Sequence, residues 1–380
     1  MTRLSKIIIV LIAVGAAGWF GLSAPSTAGN DAIRLSWSVE TGSPINLPPV
    51  VVANRVLVIP KDGPLIAFDA NSGKQKWQYA PAEGVWTRGM GSDGKRVFVC
   101  LKGGALAALE GTDGAVLWKI DLGINCQRAP LISGETLYVP TTFVGQGLPS
   151  DTFTGAKLFS INAADGRINW AFTSDNYILQ TPFRVAGTVY LGGNYKNTEV
   201  RVDEGGHYRV YALDADGGRV KWTFVSEQGF PKALYATKDR LVSVGYRDFL
   251  VALDTANGKE VWRRDTGNWV PSLAGVGDTV YYGSANTNVH AWNMSDGKTR
   301  WKFNIPGKSF DYLMGKPVFA EGRMYFKSQR GTFYALDLEN GKPLWTHPSE
   351  IISRAGLSIS GSSLFIGDSK GRVYAYDILR

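Results

Sequence analysis

The chain has 380 residues, 44% of them hydrophobic and 19% charged, which is enough to bury a core in one large domain or two ordinary ones and excludes a disordered chain. Glycine contributes 45 residues without a three-residue period, so a collagen-like protein is excluded and a turn-rich β protein is favoured. The 41 Lys and Arg residues exceed the 33 Asp and Glu residues, and the net charge of +8 favours anionic partners, but no dense basic run indicates nucleic-acid binding.

The N-terminus has the order of an export signal. Arg3 and Lys6 precede an uncharged apolar run from Ile7 to Leu22, and small residues follow as far as Ala28. The run is shorter than the roughly 20 residues that span a bilayer comfortably. We therefore predict a cleaved signal peptide at residues 1–28, with an uncleaved inner-membrane anchor as the alternative. Both interpretations export the rest of the chain.

One pattern recurs along the rest of the chain: a β-rich run that ends in Asp or a related residue, a turn with Gly, and then Trp. Clear copies read ALDADGGRVKW, ALDTANGKEVW and ALDLENGKPLW. A hairpin precedes each copy, so each repeat holds about four strands, and a period of about 40 residues is typical of propeller blades. The repeated residues are Trp37, Trp77, Trp118, Trp170, Trp222, Trp262, Trp301 and Trp345.

The residue types of this motif indicate a structural role. An Asp or Asn side chain opens a turn by accepting hydrogen bonds from the following backbone, and Gly supplies the left-handed residue that leads into the next strand. A large aromatic ring at the end of the motif can cover the joint between neighbouring sheets. We therefore interpret the eight Trp residues as packing elements rather than ligand-binding groups.

The two ends of the chain predict how the ring closes. After Trp345 the segments GLSIS, SLFIG and RVYAYD supply three strands, while IRLSWSVE near the start is an outer strand with nothing before it. Together they complete one blade and remove the free sheet edges. The sequence thus predicts an all-β fold, an eight-bladed propeller of four-stranded blades over residues 29–380. A WD40 ring is the alternative, but its dipeptides are missing.

Two repeats are longer than the others. Both insertions fall between the second and third strands of consecutive blades, at Phe143 to Lys157 and at Asn194 to Arg209. They are interpreted either as tolerated surface insertions or as a recognition wall beside the central funnel. Asp203 and Glu204 on the second insertion, and Asp311 and Tyr312 on a later connection, are expected to be solvated loop residues.

A basic rim is predicted where the connections between blades meet the innermost strands. Residues at this position face the axis, so the rim would suit carboxylates or an acidic loop of a partner. The alternative is that these side chains only hold neighbouring carbonyls or carboxylates. The rim residues, including two that lie one position away, are Arg88, Arg128, Gln180, Lys232, Lys316 and Arg354.

A mainly apolar collar lies two residues before the rim. Its aromatic members Trp86 and Trp269 either pack beneath the loops or offer anchors to a ligand or peptide. Cys126 belongs to the collar, and Cys100 ends a strand near the same face. These two cysteines either form a disulfide or remain separate buried thiols. With three scattered histidines, they give no metal or haem spacing, so neither a metal nor a cofactor is predicted.

The three clear copies of the motif resemble the pyrroloquinoline-quinone-type propeller repeat, and the resemblance covers nearly all of the chain after residue 28. The size, the ring closure and the end GSSLFIGDSKGRVYAYDILR are more similar to the BamB-like propeller subunits of the outer-membrane barrel assembly machinery than to quinoprotein alcohol dehydrogenases. The dehydrogenases are longer and carry adjacent cysteines and a calcium-binding set that are not recognisable here.

This resemblance implies an exported, periplasmic, monomeric and non-catalytic scaffold that binds an envelope protein and uses no cofactor. It implies a place in outer-membrane protein assembly. A sensor propeller for a small anion or a glycan is the second hypothesis, because the rim is basic and the collar aromatic. A quinone-dependent oxidoreductase is the third and least favoured.

Overall fold

Eight antiparallel sheets account for all the strands in the part of the chain that the structure describes. The structure is a computed structural model, and it describes residues 32–379 except 127, 143–154, 175, 196–207, 227–233, 246–247, 308–310, 314 and 354. The predicted export signal at residues 1–28 and most of both long insertions lie outside the described residues. Within them there is no helix, and so none that could cross a membrane.

The first four blades follow the chain in order from the second strand onwards. Blade 1 contains β2 (Val50–Val52), β3 (Arg55–Val58), β4 (Leu65–Asp69) and β5 (Gln75–Tyr79). Blade 2 contains β6 (Val85–Ser92), β7 (Arg96–Leu101), β8 (Ala105–Glu110) and β9 (Val116–Asp121). Blade 3 contains β10 (Leu131–Ser133), β11 (Thr136–Pro140), β12 (Lys157–Asn162) and β13 (Ile168–Thr173). Blade 4 contains β14 (Asn176–Leu179), β15 (Phe183–Val185), β16 (Thr188–Tyr195), β17 (Tyr208–Asp214) and β18 (Val220–Ser226).

The other four blades complete the ring. Blade 5 contains β19 (Leu234–Ala236), β20 (Arg240–Val244), β21 (Phe249–Asp254) and β22 (Glu260–Asp265). Blade 6 contains β23 (Ser272–Val276), β24 (Thr279–Ser284), β25 (Asn288–Asn293) and β26 (Thr299–Asn304). Blade 7 contains β27 (Val318–Ala320), β28 (Arg323–Lys327), β29 (Phe333–Asp337) and β30 (Pro343–His347). Blade 8 contains β31 (Ser358–Ser360), β32 (Ser363–Gly367), β33 (Arg372–Ile378) and the N-terminal strand β1 (Ile33–Glu40).

The fold class is therefore confirmed as an all-β propeller of eight blades closed by its two ends. Strand β1 pairs antiparallel with β33, from Ile33 opposite Ile378 to Glu40 opposite Arg372. Blade 4 differs from the four-stranded pattern, because its innermost segment is divided into β14 and β15, which both pair with β16. The broken strand leaves Gln180 in the gap between the two pieces.

The core lies between the blades rather than within any one of them. Each inner strand is covered on both faces, which is why the segment RVFVCL reads as a continuous apolar run instead of an alternating one. Val97 and Val99 pack towards blade 1, while Phe98 and Cys100 pack towards blade 3. The described residues form eight such clusters, one between each pair of neighbouring blades.

The repeated turn joins the third and fourth strands of a blade in a defined way. In blade 5 the Asp254 carboxylate accepts hydrogen bonds from the backbone N–H groups of Ala256 and Asn257, and the N–H of Gly258 donates to the Asp254 carbonyl. Gly258 has a φ of +72°, in the left-handed region that favours glycine. The register then shifts between Ala252 and Leu253, as in a bulged hairpin.

Seven of the eight blade tryptophans connect their own blade to this turn in the next blade. An added Cβ at the turn glycine would lie 2.5–2.9 Å from the indole of the preceding blade in seven junctions. In the same seven junctions the indole N–H donates to a carbonyl beside that turn. The pairs are Trp37 with Ala70, Trp77 with Gly111, Trp118 with Ala163, Trp170 with Ala215, Trp222 with Thr255, Trp262 with Met294 and Trp301 with Leu338.

Candidate functional site

The candidate site lies on the face that carries the connections between blades. Arg88 lies within β6, in a stretch where the pairing with β7 jumps from Val85 opposite Leu101 to Met90 opposite Val99. Arg128 lies on the connection from β9 to β10. The irregular stretch belongs to β6, the innermost strand of blade 2, and the connection leads into β10, the innermost strand of blade 3. Both therefore bring residues of different repeats close to the axis.

Arg88 and Arg128 line one cavity of about 470 Å³. The other lining residues come from blades 1, 2, 3, 4 and 8 and the connections leading into them, so the cavity lies on the ring axis. Burial lowers the pKa of the Arg128 guanidinium, and the nearby positive charge of Arg88 lowers it further. The described lining residues include no carboxylate; they are Leu47, Pro48, Pro49, Val50, Ile59, Thr87, Arg88, Met90, Arg128, Ala129, Thr181 and Ser358.

Arg96 is an example of a guanidinium whose charge is balanced by carboxylates in this protein. Arg96 lies at the start of β7 and forms ion pairs with Asp93 at 2.7 Å and with Glu135 at 3.0 Å. Both carboxylates raise the pKa of Arg96, although burial opposes them. Arg128 therefore differs from Arg96 in having another arginine, rather than a carboxylate, as its charged neighbour.

The backbone of Arg128 is held by a disulfide. Cys100 of β7 is bonded to Cys126, and their Cα atoms are 5.6 Å apart. The Cys100 Sγ atom lies 3.9 Å from the Arg128 carbonyl oxygen. A Cβ added at Gly89 would approach the Cys100 Cβ to 2.4 Å, so β6 and β7 pack directly against each other here. The disulfide thus links the strand and the connection that flank the two arginines.

The remaining rim residues occupy different surroundings. Gln180 is partly buried and donates its backbone N–H to the Gly192 carbonyl at 2.8 Å, while its neighbour Thr181 lines the cavity. Lys316 lies on the connection to β27 with part of its side chain exposed, and partial desolvation of its ammonium lowers its pKa. Lys232 and Arg354 lie outside the described residues.

The two collar tryptophans have different environments. Trp86 packs partly buried against the cluster between blades 2 and 3, with the Lys102 ammonium 6.0 Å from its ring centre. Trp269 is 40% exposed and meets the Tyr312 ring edge to face at 5.9 Å. Trp269 and Tyr312 line a second cavity of about 740 Å³ that Ile352, 64% exposed, also borders. Of the two collar tryptophans, Trp269 is therefore the more exposed to solvent.

Asp311 is a solvated loop residue in the sequence interpretation, and that expectation is wrong. Its carboxylate is buried, and it accepts hydrogen bonds from the Ser328 hydroxyl at 3.1 Å and from the Arg330 backbone N–H at 2.9 Å. The neighbouring Lys327 is 2% exposed, and burial lowers the pKa of its ammonium to about 8 despite the opposing charge of Asp311. No periodic signal in the sequence marks this pair, because the two residues come from different parts of the repeat.

A second buried titratable group was also not anticipated. His290 of β25 stacks on Tyr282 with ring centres 4.7 Å apart, and the His290 Nε2 and Ser284 Oγ atoms are 3.3 Å apart. Burial, assisted by the charge of Lys302, lowers the pKa of His290 to about 4. Within the described part of the chain, no group of three His, Cys, Asp or Glu residues could hold a metal ion.

Comparison with known proteins gives a consistent family match. A family model described as outer membrane protein assembly factor BamB matches residues 33–85, 80–205, 141–246 and 247–380. The BamB of Yersinia pestis is 23% identical over 376 residues, covering 90% of this chain and 88% of that protein. The BamB of Moranella endobia is 26% identical over 314 residues, covering 78% and 76%.

A solved structure shares the fold. The crystal structure of BamB from Moraxella catarrhalis superposes with a TM-score of 0.64 at 19% sequence identity, covering 91% of this chain and 99% of that one. At this identity the likeness supports the propeller architecture alone.

Proposed function

Because this chain belongs to the family of the outer membrane protein assembly factor BamB, we propose that it is a non-catalytic scaffold that binds an envelope protein during outer-membrane protein assembly. The observation that carries the proposal is the family match, which extends from residue 33 to the C-terminus. The relatives matched over most of their length are named as assembly factors rather than oxidoreductases. We propose that the protein acts in the periplasm, delivered there by residues 1–28.

The partner is proposed to dock on the face that carries the blade connections. Loops on a rigid ring vary without disturbing the core, so this face is suited to recognition. Trp269 and Ile352 are exposed apolar side chains there, next to Lys61 in the same cavity. Exposed tryptophans are frequent anchors of protein interfaces, and the neighbouring positive charge favours a partner segment that combines an apolar side chain with acidic residues.

The proposal is tested by cross-linking tagged protein in intact envelopes and identifying its partner by mass spectrometry. We expect to recover an outer-membrane barrel protein that carries periplasmic domains. Trp269→Asp is expected to reduce that recovery by about tenfold, the effect of losing a strong interface anchor. Recovery of the propeller without any barrel protein would contradict the scaffold function.

Val276→Asp provides a matched control. Val276 is 38% exposed, close to the 40% of Trp269, and both residues belong to blade 6. Val276 ends β23, whereas Trp269 lies just before that strand begins, so the two side chains are at opposite faces of the ring. Equal loss of the partner in both variants would contradict the assignment of the docking face while leaving the scaffold function intact.

A further inference from the structure

The axial cavity has the features of a site for a small ligand, and it shares no lining residue with the cavity that Trp269 borders. Its volume of about 470 Å³ lies within the range of small-molecule sites in proteins. Arg88 and Arg128 both line it, on neighbouring blades. We propose that this cavity binds a small organic acid whose carboxylate lies between the Arg88 and Arg128 guanidinium groups.

The charge distribution of the cavity calls for an anion. Arg128 is partly buried and Arg88 is exposed, and the pKa of Arg128 is lowered by burial and, to a lesser extent, by the positive charge of Arg88. The described residues that line the cavity include no Asp or Glu to balance them. Other partly buried arginines in the described chain, such as Arg96 and Arg55, have a carboxylate within 4 Å. A bound carboxylate would give Arg88 and Arg128 the same compensation, through charge-assisted hydrogen bonds.

The rest of the wall defines the body of the ligand. Blade 1 and the segment leading into it contribute Leu47, Val50 and Ile59, and blade 2 contributes Met90. These apolar side chains favour a hydrocarbon or aromatic body over a bare inorganic anion such as phosphate. The hydroxyl groups of Thr87 and Thr181 add neutral hydrogen-bonding capacity beside the arginines. The ligand class is therefore an organic acid with an apolar body.

The site is also held rigid before any ligand binds. The Cys100–Cys126 disulfide ties the connection that carries Arg128 to β7, and Gly89 allows β6 to lie directly against Cys100. A preformed site loses less conformational entropy on binding, which increases affinity.

The proposal is tested by isothermal titration calorimetry on the purified exported protein with phthalate, an aromatic dicarboxylate. Succinate supplies the charge without the aromatic body, and dimethyl phthalate supplies the body without the charge. We expect phthalate to bind more tightly than succinate and dimethyl phthalate not to bind. Rising salt is expected to weaken phthalate binding, because the interaction depends on charge.

Three single substitutions locate the binding. Arg88→Gln and Arg128→Gln are each expected to weaken phthalate binding by at least about tenfold, the usual effect of losing a charge-assisted hydrogen bond. Arg167→Gln is the control, because Arg167 is exposed on the turn between β12 and β13, at the opposite face of the ring. We expect this variant to bind phthalate as the unchanged protein does.

Melting temperatures separate loss of the site from loss of the fold. Without ligand, both cavity variants are expected to melt no lower than the unchanged protein, since neither loses an ion pair that the structure shows. Phthalate is expected to raise the melting temperature of the unchanged protein and of Arg167→Gln, but not that of the cavity variants.

Several outcomes would overturn the proposal. One is the absence of binding by phthalate and succinate up to about 10 mM, which corresponds to negligible affinity. Others are binding that all three variants retain or lose equally, and a melting temperature of Arg128→Gln that falls without ligand, which would indicate an internal partner. None of these results affects the cross-linking experiment with Trp269→Asp. The ligand-site proposal can therefore be disproved while the proposed scaffold function stands.

Discussion

Seven of the eight blade junctions use the same contact, and the junction between blades 7 and 8 does not. In the seven, an indole N–H donates into the next blade beside a glycine turn. Trp345 faces blade 8, where the chain ends replace that turn, and its buried Nε1 atom has no acceptor among the described residues. The motif therefore links two repeats: the Trp of one blade contacts the glycine turn of the next. The contact is incomplete at blade 8, where the chain ends interrupt the repeat that would supply the turn.

The closing junction compensates by strand pairing. The backbone N–H of Leu379 donates to the Ala32 carbonyl at 2.9 Å, and Thr41 donates from both its N–H and its hydroxyl to the Gly371 carbonyl. Ile33 is 1% exposed and packs in the cluster between blades 7 and 8. Backbone pairing and a buried apolar end thus substitute for the missing turn, because they need no continuous chain.

Deleting Ile33 to Glu40 is the strongest test of this difference. The loss opens one edge of β33 and removes the burial of Ile33, so we expect a destabilisation of more than about 4 kcal/mol, beyond the range of ordinary substitutions. Urea unfolding followed by circular dichroism measures it. The control is Arg34→Gln with Glu40→Gln, which removes exposed ion pairs to Asp377 and Arg372 and is expected to cost less than about 1 kcal/mol. An unchanged unfolding midpoint after the deletion would refute closure by β1.

The contact between the turn glycine and the indole, present at seven junctions, can be tested by comparing two glycine substitutions. Gly258→Ala places a Cβ 2.6 Å from the Trp222 ring at a φ of +72°, whereas Gly277→Ala meets nothing within 4 Å at a φ of +53°. Both lose the conformational freedom of glycine, worth about 1 kcal/mol, but only the first adds a steric overlap, worth about 2 kcal/mol more. Unfolding free energies measured side by side give the difference. Equal costs would mean that the indole moves aside without penalty.

The junction between blades 5 and 6 is expected to respond to acid. His290 belongs to blade 6 and lies beside Trp292, which meets Trp262 of blade 5 edge to face. Burial lowers the pKa of His290 in the folded protein to about 4, against 6.5 in the unfolded chain. The unfolded chain binds the proton first, so stability is complete above pH 6.5 and falls as the pH drops towards 4, by up to about 3 kcal/mol.

Replacing His290 by Gln should remove this part of the pH dependence. Unfolding free energies of the protein and of His290→Gln are measured at intervals between pH 7 and pH 4, and the difference between the two curves isolates the histidine from the carboxylates. A constant difference over this range would show that His290 is protonated as readily in the folded protein as in the unfolded chain.

The smallest effect is expected from a comparison of two tryptophans that each pack on an equivalent tyrosine. Trp301 packs on Tyr281 at 5.7 Å and Trp345 on Tyr325 at 5.9 Å, at similar ring angles. Trp301 donates a hydrogen bond to the Leu338 carbonyl at 3.1 Å, whereas the Trp345 indole N–H has no acceptor in the described part of the chain. Trp301→Phe is therefore expected to cost about 1 kcal/mol more than Trp345→Phe, the net value of one hydrogen bond. Identical costs from denaturant unfolding would show that packing alone determines the contribution of the ring.

Local patterns made the fold accessible from the sequence. A turn that opens with Asp, Asn or Glu and contains Gly precedes the Trp in every full repeat. The three strands after Trp345, together with the single N-terminal strand that contains Trp37, predict both the number of blades and their closure. The prediction for Asp311 failed for a physical reason: its partners Ser328 and Arg330 are in another loop, and spacing along the chain does not reveal that pairing. The same holds for Trp86 and Trp269, which share a position in the repeat but differ in burial.

The sequence by itself determined the repeat and the number of blades, because both depend on turns and strand pairs formed by residues close along the chain. It also determined the ring closure, although β1 and β33 are far apart along the chain, because one strand at the start and three at the end add up to one blade. Tertiary structure alone decided which side chains meet at the axis. Arg88 and Arg128 belong to different repeats, and they share one cavity because an irregular strand, a disulfide and a glycine contact hold the connections of two blades together. Those interactions join distant residues, so no local pattern encodes them.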